Sequence, residues 1–225
     1  MKSEKLQTNY QYKNLDLKGQ NKMIAIIDYD AGNLRSVEKA LLSLGEDVIV
    51  TRDREKIFDA SKVILPGVGA FGDCMNKLKD YDLIEVINST VDSGKPFLGI
   101  CLGLQLLYES SEESVGTKGL SILEGNIIRI PDKEGIKVPH MGWNSINIAP
   151  DKKLFKGIKD QSYVYFVHSF YLDAKNKNEV AATCHYSTTI DASVEKDNVF
   201  ACQFHPEKSG EVGLKILKNF AELNL

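Results

Sequence analysis

The stretch that most narrows the fold is Phe97-Leu98-Gly99-Ile100-Cys101-Leu102-Gly103-Leu104-Gln105-Leu106-Leu107-Tyr108. A short apolar run leads into Gly-x-Cys-x-Gly, and leucines then recur at helical spacing. This is the pattern of a strand, a sharp turn and a helix, with a cysteine at the turn. A residue there sits in strained backbone, so its neighbours must lack bulk, and Gly99 and Gly103 supply the room. The strain projects the side chain from the top of a sheet. The following helix aims backbone N–H groups and a positive dipole end at the sulfur, which favours thiolate. Read alone, the same residues also suit a buried structural cysteine packed by glycines. Other residues must decide between the two.

The segments before the elbow predict what surrounds it. Ile24-Ala25-Ile26-Ile27-Asp28 is a continuous apolar run, as in a strand covered on both faces. After Asp30-Ala31-Gly32 a helix is expected from about Asn33, with Leu34, Val37, Leu41 and Leu44 inward and Gly45 ending it. Asp47 to Val50 and Lys62 to Leu65 read as further strands, the latter closed by Pro66-Gly67. Such alternation predicts an α/β fold, a flavodoxin-like, mostly parallel sheet with helices on both faces. Functional residues then belong at the carboxyl ends of the strands. A helix from about Tyr81 to Asp92 precedes the elbow. From Leu120 onward short strands are expected over 126–130, 144–148, 163–167, 180–184 and 199–203, adding antiparallel pairs to the sheet in the second half. A last helix is expected over about Gly210 to Leu223. Residues 1–22 lack a steady apolar period and read as an N-terminal extension, disordered or draped on the surface, before one domain over 23–225.

Composition matters here mainly for what it excludes. The net charge of −3 and the lack of a basic stripe give no footprint for nucleic acid. No apolar stretch reaches the roughly 20 residues needed to cross a bilayer. Cys74, Cys101, Cys184 and Cys202 are widely spaced, so neither a zinc knuckle nor a disulfide framework is implied. No metal or cofactor motif is found. Reduced thiols in the cytoplasm are the expectation.

A nucleophilic cysteine needs a base, and the base needs an orienting group. Among His140, His168, His185 and His205, the last stands out, in Gln203-Phe204-His205-Pro206-Glu207 after a strand. Glu207 can accept from the second ring nitrogen, as a triad acid does, and Pro206 stiffens the link. His185 lacks such context and reads as a surface or hydrogen-bonded histidine. The loop Pro66-Gly67-Val68-Gly69-Ala70-Phe71-Gly72 lies at the same sheet edge. Its backbone N–H groups could face a developing negative charge, or it could be no more than a tight turn.

Taken in order, that glycine loop, the elbow through Gln105, and Phe204-His205-Pro206-Glu207 resemble the class I (triad) glutamine amidotransferases. Asp28 to Leu34, Pro139-His140-Met141-Gly142-Trp143-Asn144, Tyr165 to Tyr171, and Lys208-Ser209-Gly210-Glu211 narrow the likeness to one branch, the glutaminase subunits of imidazole glycerol phosphate synthase. The resemblance spans about Met23 to Leu225. It implies a class I glutamine amidotransferase fold and a Cys101–His205–Glu207 triad. It implies an oxyanion hole at Val68 and Leu102, and L-glutamine held by Gly67, Gly69, Gln105, Glu113, Ser169 and Phe170. It also implies a heterodimer with a (β/α)8-barrel cyclase subunit, which takes the ammonia and makes imidazole glycerol phosphate and aminoimidazole carboxamide ribotide in histidine biosynthesis. Asn33, Met141, Trp143 and Asn144 match the interface motifs. Trp143, the chain's only tryptophan, could instead be a core anchor in a turn. A paralogous subunit supplying ammonia for amidination of a surface sugar would carry similar motifs.

Overall fold

The computed structural model describes residues 22–224. Apart from Lys22, the expected extension over 1–22 lies outside the described residues. The elements that build the site are β1 (Ile24–Ile27), α1 (Leu34–Ser43), β2 (Val48–Thr51), α2 (Arg54–Asp59), β3 (Lys62–Gly67), α3 (Phe71–Asp80), α4 (Leu83–Asp92), β4 (Phe97–Cys101) and α5 (Leu102–Leu106). After them come β5 (Ser110–Ser111), β6 (Gly125–Arg129), β7 (His140–Ser145), β8 (Asn147–Ile148), β9 (Tyr163–His168), β10 (Phe170–Ala174), β11 (Val180–Tyr186), β12 (Thr188–Lys196), β13 (Val199–Cys202) and α6 (Gly210–Ala221).

The main sheet runs β2-β1-β3-β4-β13-β12-β10-β6-β5, with β11 and β8 joined through β12. From β2 to β13 every pair is parallel, and the order reverses between β1 and β3, as in flavodoxin-like sheets. The antiparallel part begins where β12 pairs β13 and continues through β10 and β6. The apolar runs of the parallel strands are explained by two covered faces. Ala25, Ile27, Val63 and Leu65 pack against α2 to α5, while Ile24, Ile26 and Ile64 pack against α1 and α6. Each buried aliphatic side chain contributes about 1.5–3 kcal/mol, so a one-residue register slip in these strands would be strongly disfavoured.

The structure corrects the sequence expectations at five points. The single strand over 144–148 is two strands, because the chain changes sheets there. Strand β7 pairs with β9 in a separate two-stranded sheet, β8 pairs with β11, and Ile146 is buried between them. Trp143 therefore lies within a strand, not a turn. Strands β10 and β12 and helices α2 and α3 were not foreseen. The helix expected from Tyr81 begins at Leu83, since Asp82 takes a left-handed φ of 54° and separates it from α3. The helix after the elbow is short, ending at Leu106.

Candidate active site

Cys101 ends β4 with φ 55° and ψ −109°. A non-glycine residue held there stores about 1–3 kcal/mol of strain, offset by its packed neighbours. The flanking glycines are required by close approach. A Cβ on Gly99 would lie 2.8 Å from the Gly103 carbonyl oxygen, and one on Gly103 would run into the Leu65 carbonyl. Register places Gly67 of β3 beside Cys101, and Cys202 of β13 beside Ile100. Three strand ends thus converge on one edge.

His205 follows β13 and is fastened to β9. Its N–H donates to the Tyr165 carbonyl (2.9 Å), and the Ser209 hydroxyl donates to the His205 carbonyl (2.6 Å) while accepting from the Tyr165 N–H (2.9 Å). The His205 ring meets Glu207 through Nδ1 and Oε1 at 2.8 Å, with both side chains almost fully buried. The second Glu207 oxygen and His205 Nε2 are buried without a hydrogen bond of ordinary geometry. Burial pulls the His205 pKa down, but the neighbouring Cys101 sulfur and the Glu207 carboxylate outweigh it and raise it to about 10. Both neighbours thus favour the protonated ring.

These groups open on a cavity of about 430 Å³. Of the residues foreseen from sequence, Val68, Gly69, Cys101, Leu102, Gln105, Glu113, Ser169, Phe170 and His205 line it. Gly67 and Glu207 do not. Gly67 lies behind the wall, where a Cβ would meet the Tyr29 hydroxyl and Leu102 Cβ, and Glu207 lies behind His205. The glycine loop is anchored at both ends: the Tyr29 hydroxyl donates to the Pro66 carbonyl (2.8 Å), and Glu113 accepts from the Phe71 N–H (2.7 Å). Between these anchors the Val68 carbonyl accepts a weak bond from the Cys74 thiol (3.6 Å).

The residues foreseen for an interface lie outside the cavity. Met141 and Trp143 alternate along one face of β7 and are 67% and 55% exposed, so Trp143 is not a core anchor. Asn144 is half-buried on the same strand, and Asn33 stands at the N-cap of α1 without capping it through its side chain. His185 is exposed, as expected.

Sequence reasoning gave no role to three residues that the structure brings to the site. His168 lines the cavity, His140 stacks between Phe166 and Tyr186, and the two rings meet at 3.0 Å. Gln203 reaches the Cys101 sulfur at 3.7 Å. The only available signals were their places in the motifs around Asn144, Tyr165 and His205. Burial pushes His168 down to about 3 and His140 down to about 4. Unfolded, both would bind a proton near pH 6.5. The stability gained by keeping them neutral is fully present above that pH and is lost as pH falls toward 4. Denaturant unfolding at pH 5 is expected to give about 2 kcal/mol less stability per histidine than at pH 7.5. A variant carrying His140→Gln and His168→Gln should lose that part of the pH dependence, and an unchanged profile would contradict the assignment.

A strained cysteine elbow and a His–Glu pair at the edge of a flavodoxin-like sheet define a class of enzyme. The family model for glutamine amidotransferase class-I matches residues 25–223, and the chain belongs to that family. The imidazole glycerol phosphate synthase subunit HisH of Caldanaerobacter subterraneus is 53% identical over 201 residues, covering 89% of this chain and 98% of that one. The subunit of the same name from Methanocaldococcus jannaschii is 53% identical over 201 residues, covering 89% and 100%. Within its family the chain is thus one of the HisH subunits, the glutaminase subunits of imidazole glycerol phosphate synthase. Among solved structures, a crystal structure of a glutamine amidotransferase superposes with a TM-score of 0.69 at 19% identity, covering 88% of this chain and 99% of that one. The PurLQS structure from Thermotoga maritima gives 0.66 at 19% identity, covering 88% and 96%. At that identity the two speak for the fold.

Proposed function

We propose that residues 23–225 form a glutaminase domain in which Cys101, His205 and Glu207 act as a triad on L-glutamine. With its proton on His205, the Cys101 sulfur attacks the carboxamide carbon. The C–N bond breaks, His205 gives its proton to the leaving nitrogen, and a glutamyl thioester remains. His205 then takes a proton from water, whose oxygen displaces the sulfur and releases glutamate. Glu207 holds the ring in the orientation both transfers need. The Leu102 N–H and a backbone N–H near Val68 hold the oxyanion, and Gly67, Gly69, Gln105, Glu113, Ser169 and Phe170 shape or bind the glutamine end. The observation that carries this reading is a strained cysteine sharing a cavity with a buried His–Glu pair whose outer nitrogen has no hydrogen bond of ordinary geometry among the described residues.

The ammonia passes to a (β/α)8-barrel cyclase partner, which consumes it in histidine biosynthesis. Neutral ammonia needs a dry route, because bulk water would protonate it at pH 7. Exposed Met141 and Trp143, with Asn144 and Asn33, supply the docking surface, since large aromatics anchor interfaces. Among the described residues no helix is long and apolar enough to cross a membrane. The cytoplasm, where the thiols stay reduced, is the proposed location.

The test is covalent labelling of the full chain by an electrophilic glutamine analogue, followed by peptide mapping. Cys101 is expected to react first. Burial raises the pKa of Cys74, pushes Cys184 up to about 12 and holds Cys202 well above the usual range, so all three should be slow. Labelling of any of those three before Cys101 would sink the assignment.

A further inference from the structure

Two runs of hydrogen bonds, one from strand β7 and one from the Cys101 sulfur, meet at the Phe170 backbone carbonyl, and donor chemistry fixes the direction of each. The Asn144 oxygen accepts from the Ser145 N–H (2.8 Å), which fixes its amide. Its nitrogen donates to the His185 carbonyl (3.0 Å) and approaches His140 Nε2 (3.4 Å). An amide nitrogen only donates, so His140 Nε2 accepts and the ring proton sits on Nδ1. That nitrogen donates to His168 Nε2 (3.0 Å), and His168 Nδ1 donates to the Phe170 carbonyl (2.9 Å). A carbonyl only accepts, so the far end demands the same tautomers as the near end. The Phe170 oxygen also accepts from Gln105 Nε2 (3.1 Å). The other amide hydrogen of Gln105 goes to Gln203 Oε1 (3.0 Å). With its oxygen engaged, Gln203 turns its nitrogen to the Cys101 sulfur at 3.7 Å.

We propose that Gln203 is a further catalytic residue, whose side-chain amide donates to the Cys101 sulfur. Gln105 is then the positioning residue that keeps the amide in that orientation, and His168, backed by His140 and Asn144, helps hold in place the Phe170 carbonyl to which Gln105 donates. The proposal rests on the reading of Cys101 as the nucleophile. Gln203 is fully buried, so a reversed amide would set N–H against N–H at Gln105 and an oxygen against the sulfur. Both contacts repel where water cannot relieve them. The donor matters twice, when the sulfur attacks and when it leaves as the thioester is hydrolysed.

The experiment follows alkylation of Cys101 in the full chain by iodoacetamide between pH 5 and 10, with peptide mapping and a denaturant midpoint for each variant. The titratable groups around the sulfur are His205 and Glu207 after β13, Cys202 on β13, Tyr29 after β1, and Glu113 and His168 on the cavity wall. Gln203→Met leaves them all in place and removes the donor. Its alkylation profile is expected to move about one pH unit upward, roughly a tenfold loss of rate at pH 7. Gln203→Glu keeps the shape and the bond from Gln105, sets a carboxylate against the sulfur, and should move the profile at least as far. It guards against misfolding of the methionine variant. His168→Phe should act in the same direction by a few-fold. Folded Gln203 variants alkylated on the wild-type profile would overturn the proposal. An unchanged profile in His168→Phe alone would overturn the positioning role of the histidines. If Cys101 is not the fastest thiol in the wild-type chain, the nucleophile assignment itself falls and takes this inference with it.

Discussion

Cys101→Ser is expected to abolish synthesis fed by glutamine, by roughly 10³-fold or more, while synthesis fed by free ammonia continues. The reasoning starts from the elbow. Serine has nearly the shape of cysteine, so the backbone at φ 55° and the contacts of Gly99 and Gly103 should survive the change. The chemistry should not. A hydroxyl holds its proton far more tightly than a thiol, and the surroundings described above suit a sulfur. The Cys101 sulfur and Glu207 both favour a protonated His205, which suits it to act as an acid toward the leaving nitrogen. With an alcohol in place of the sulfur it would have to begin as a base. Ammonia added from outside bypasses every one of these steps and needs only the acceptor site on the proposed partner. The measurement is product formation by the complex with glutamine and, separately, with an ammonium salt at alkaline pH. Loss of both activities would mean that Cys101 holds the assembly together and does not carry the chemistry.

The parts of this site that could be read from sequence are those encoded within a few residues. The elbow was legible because Gly99 and Gly103 bracket Cys101. The His205–Glu207 pair was legible because its members are two residues apart. Strand β12 was not, because it buries Asp191 and Ser193, and buried polar residues make a strand resemble a loop. The structure satisfies both. Asp191 accepts from the Ala174 N–H and from Lys177, and Ser193 donates to the Ala201 carbonyl. Helix α3 was hidden by the glycine loop that runs into it, although Phe71, Cys74, Met75 and Leu78 keep helical spacing on its buried face. Gln203 was beyond local reading for another reason. Its partners Gln105 and Cys101 are about a hundred residues away, and the β13–β4 register alone brings them together. The exposure of Trp143 likewise depends on which sheet β7 joins, which no spacing within the strand reveals.

The isolated chain is expected to hydrolyse glutamine slowly, and the complex with ligand on the barrel to be faster by about 10²–10³-fold, the usual worth of an oxyanion donor. A glutaminase that runs without an acceptor wastes glutamine, so a gate is favoured. The glycine loop has the construction of one. It is anchored at Pro66 by Tyr29 and at Phe71 by Glu113, and the segment Gly67-Val68-Gly69 lies between. Gly69 has a φ of 109°, where a side chain would be strained, and the contact at the Val68 carbonyl is a weak one from the Cys74 thiol. A peptide there can turn at little steric cost. With a carbonyl toward the sulfur it repels the oxyanion, and with an N–H toward it, it donates. In the proposed complex, partner binding biases that choice through β7, which carries Met141 and Trp143 and pairs Trp143 with Tyr165. Tyr165 in turn holds the His205 backbone and Ser209, so a shift of β7 would be transmitted to His205 as well as to the cavity wall. A ligand on the barrel changes the rate only in so far as the complex binds one loop orientation better than the other. The measurement is steady-state glutamate release by the chain alone, with partner, and with partner and barrel ligand. Equal rates in all three would remove the gate and leave the loop as a fixed part of the hole.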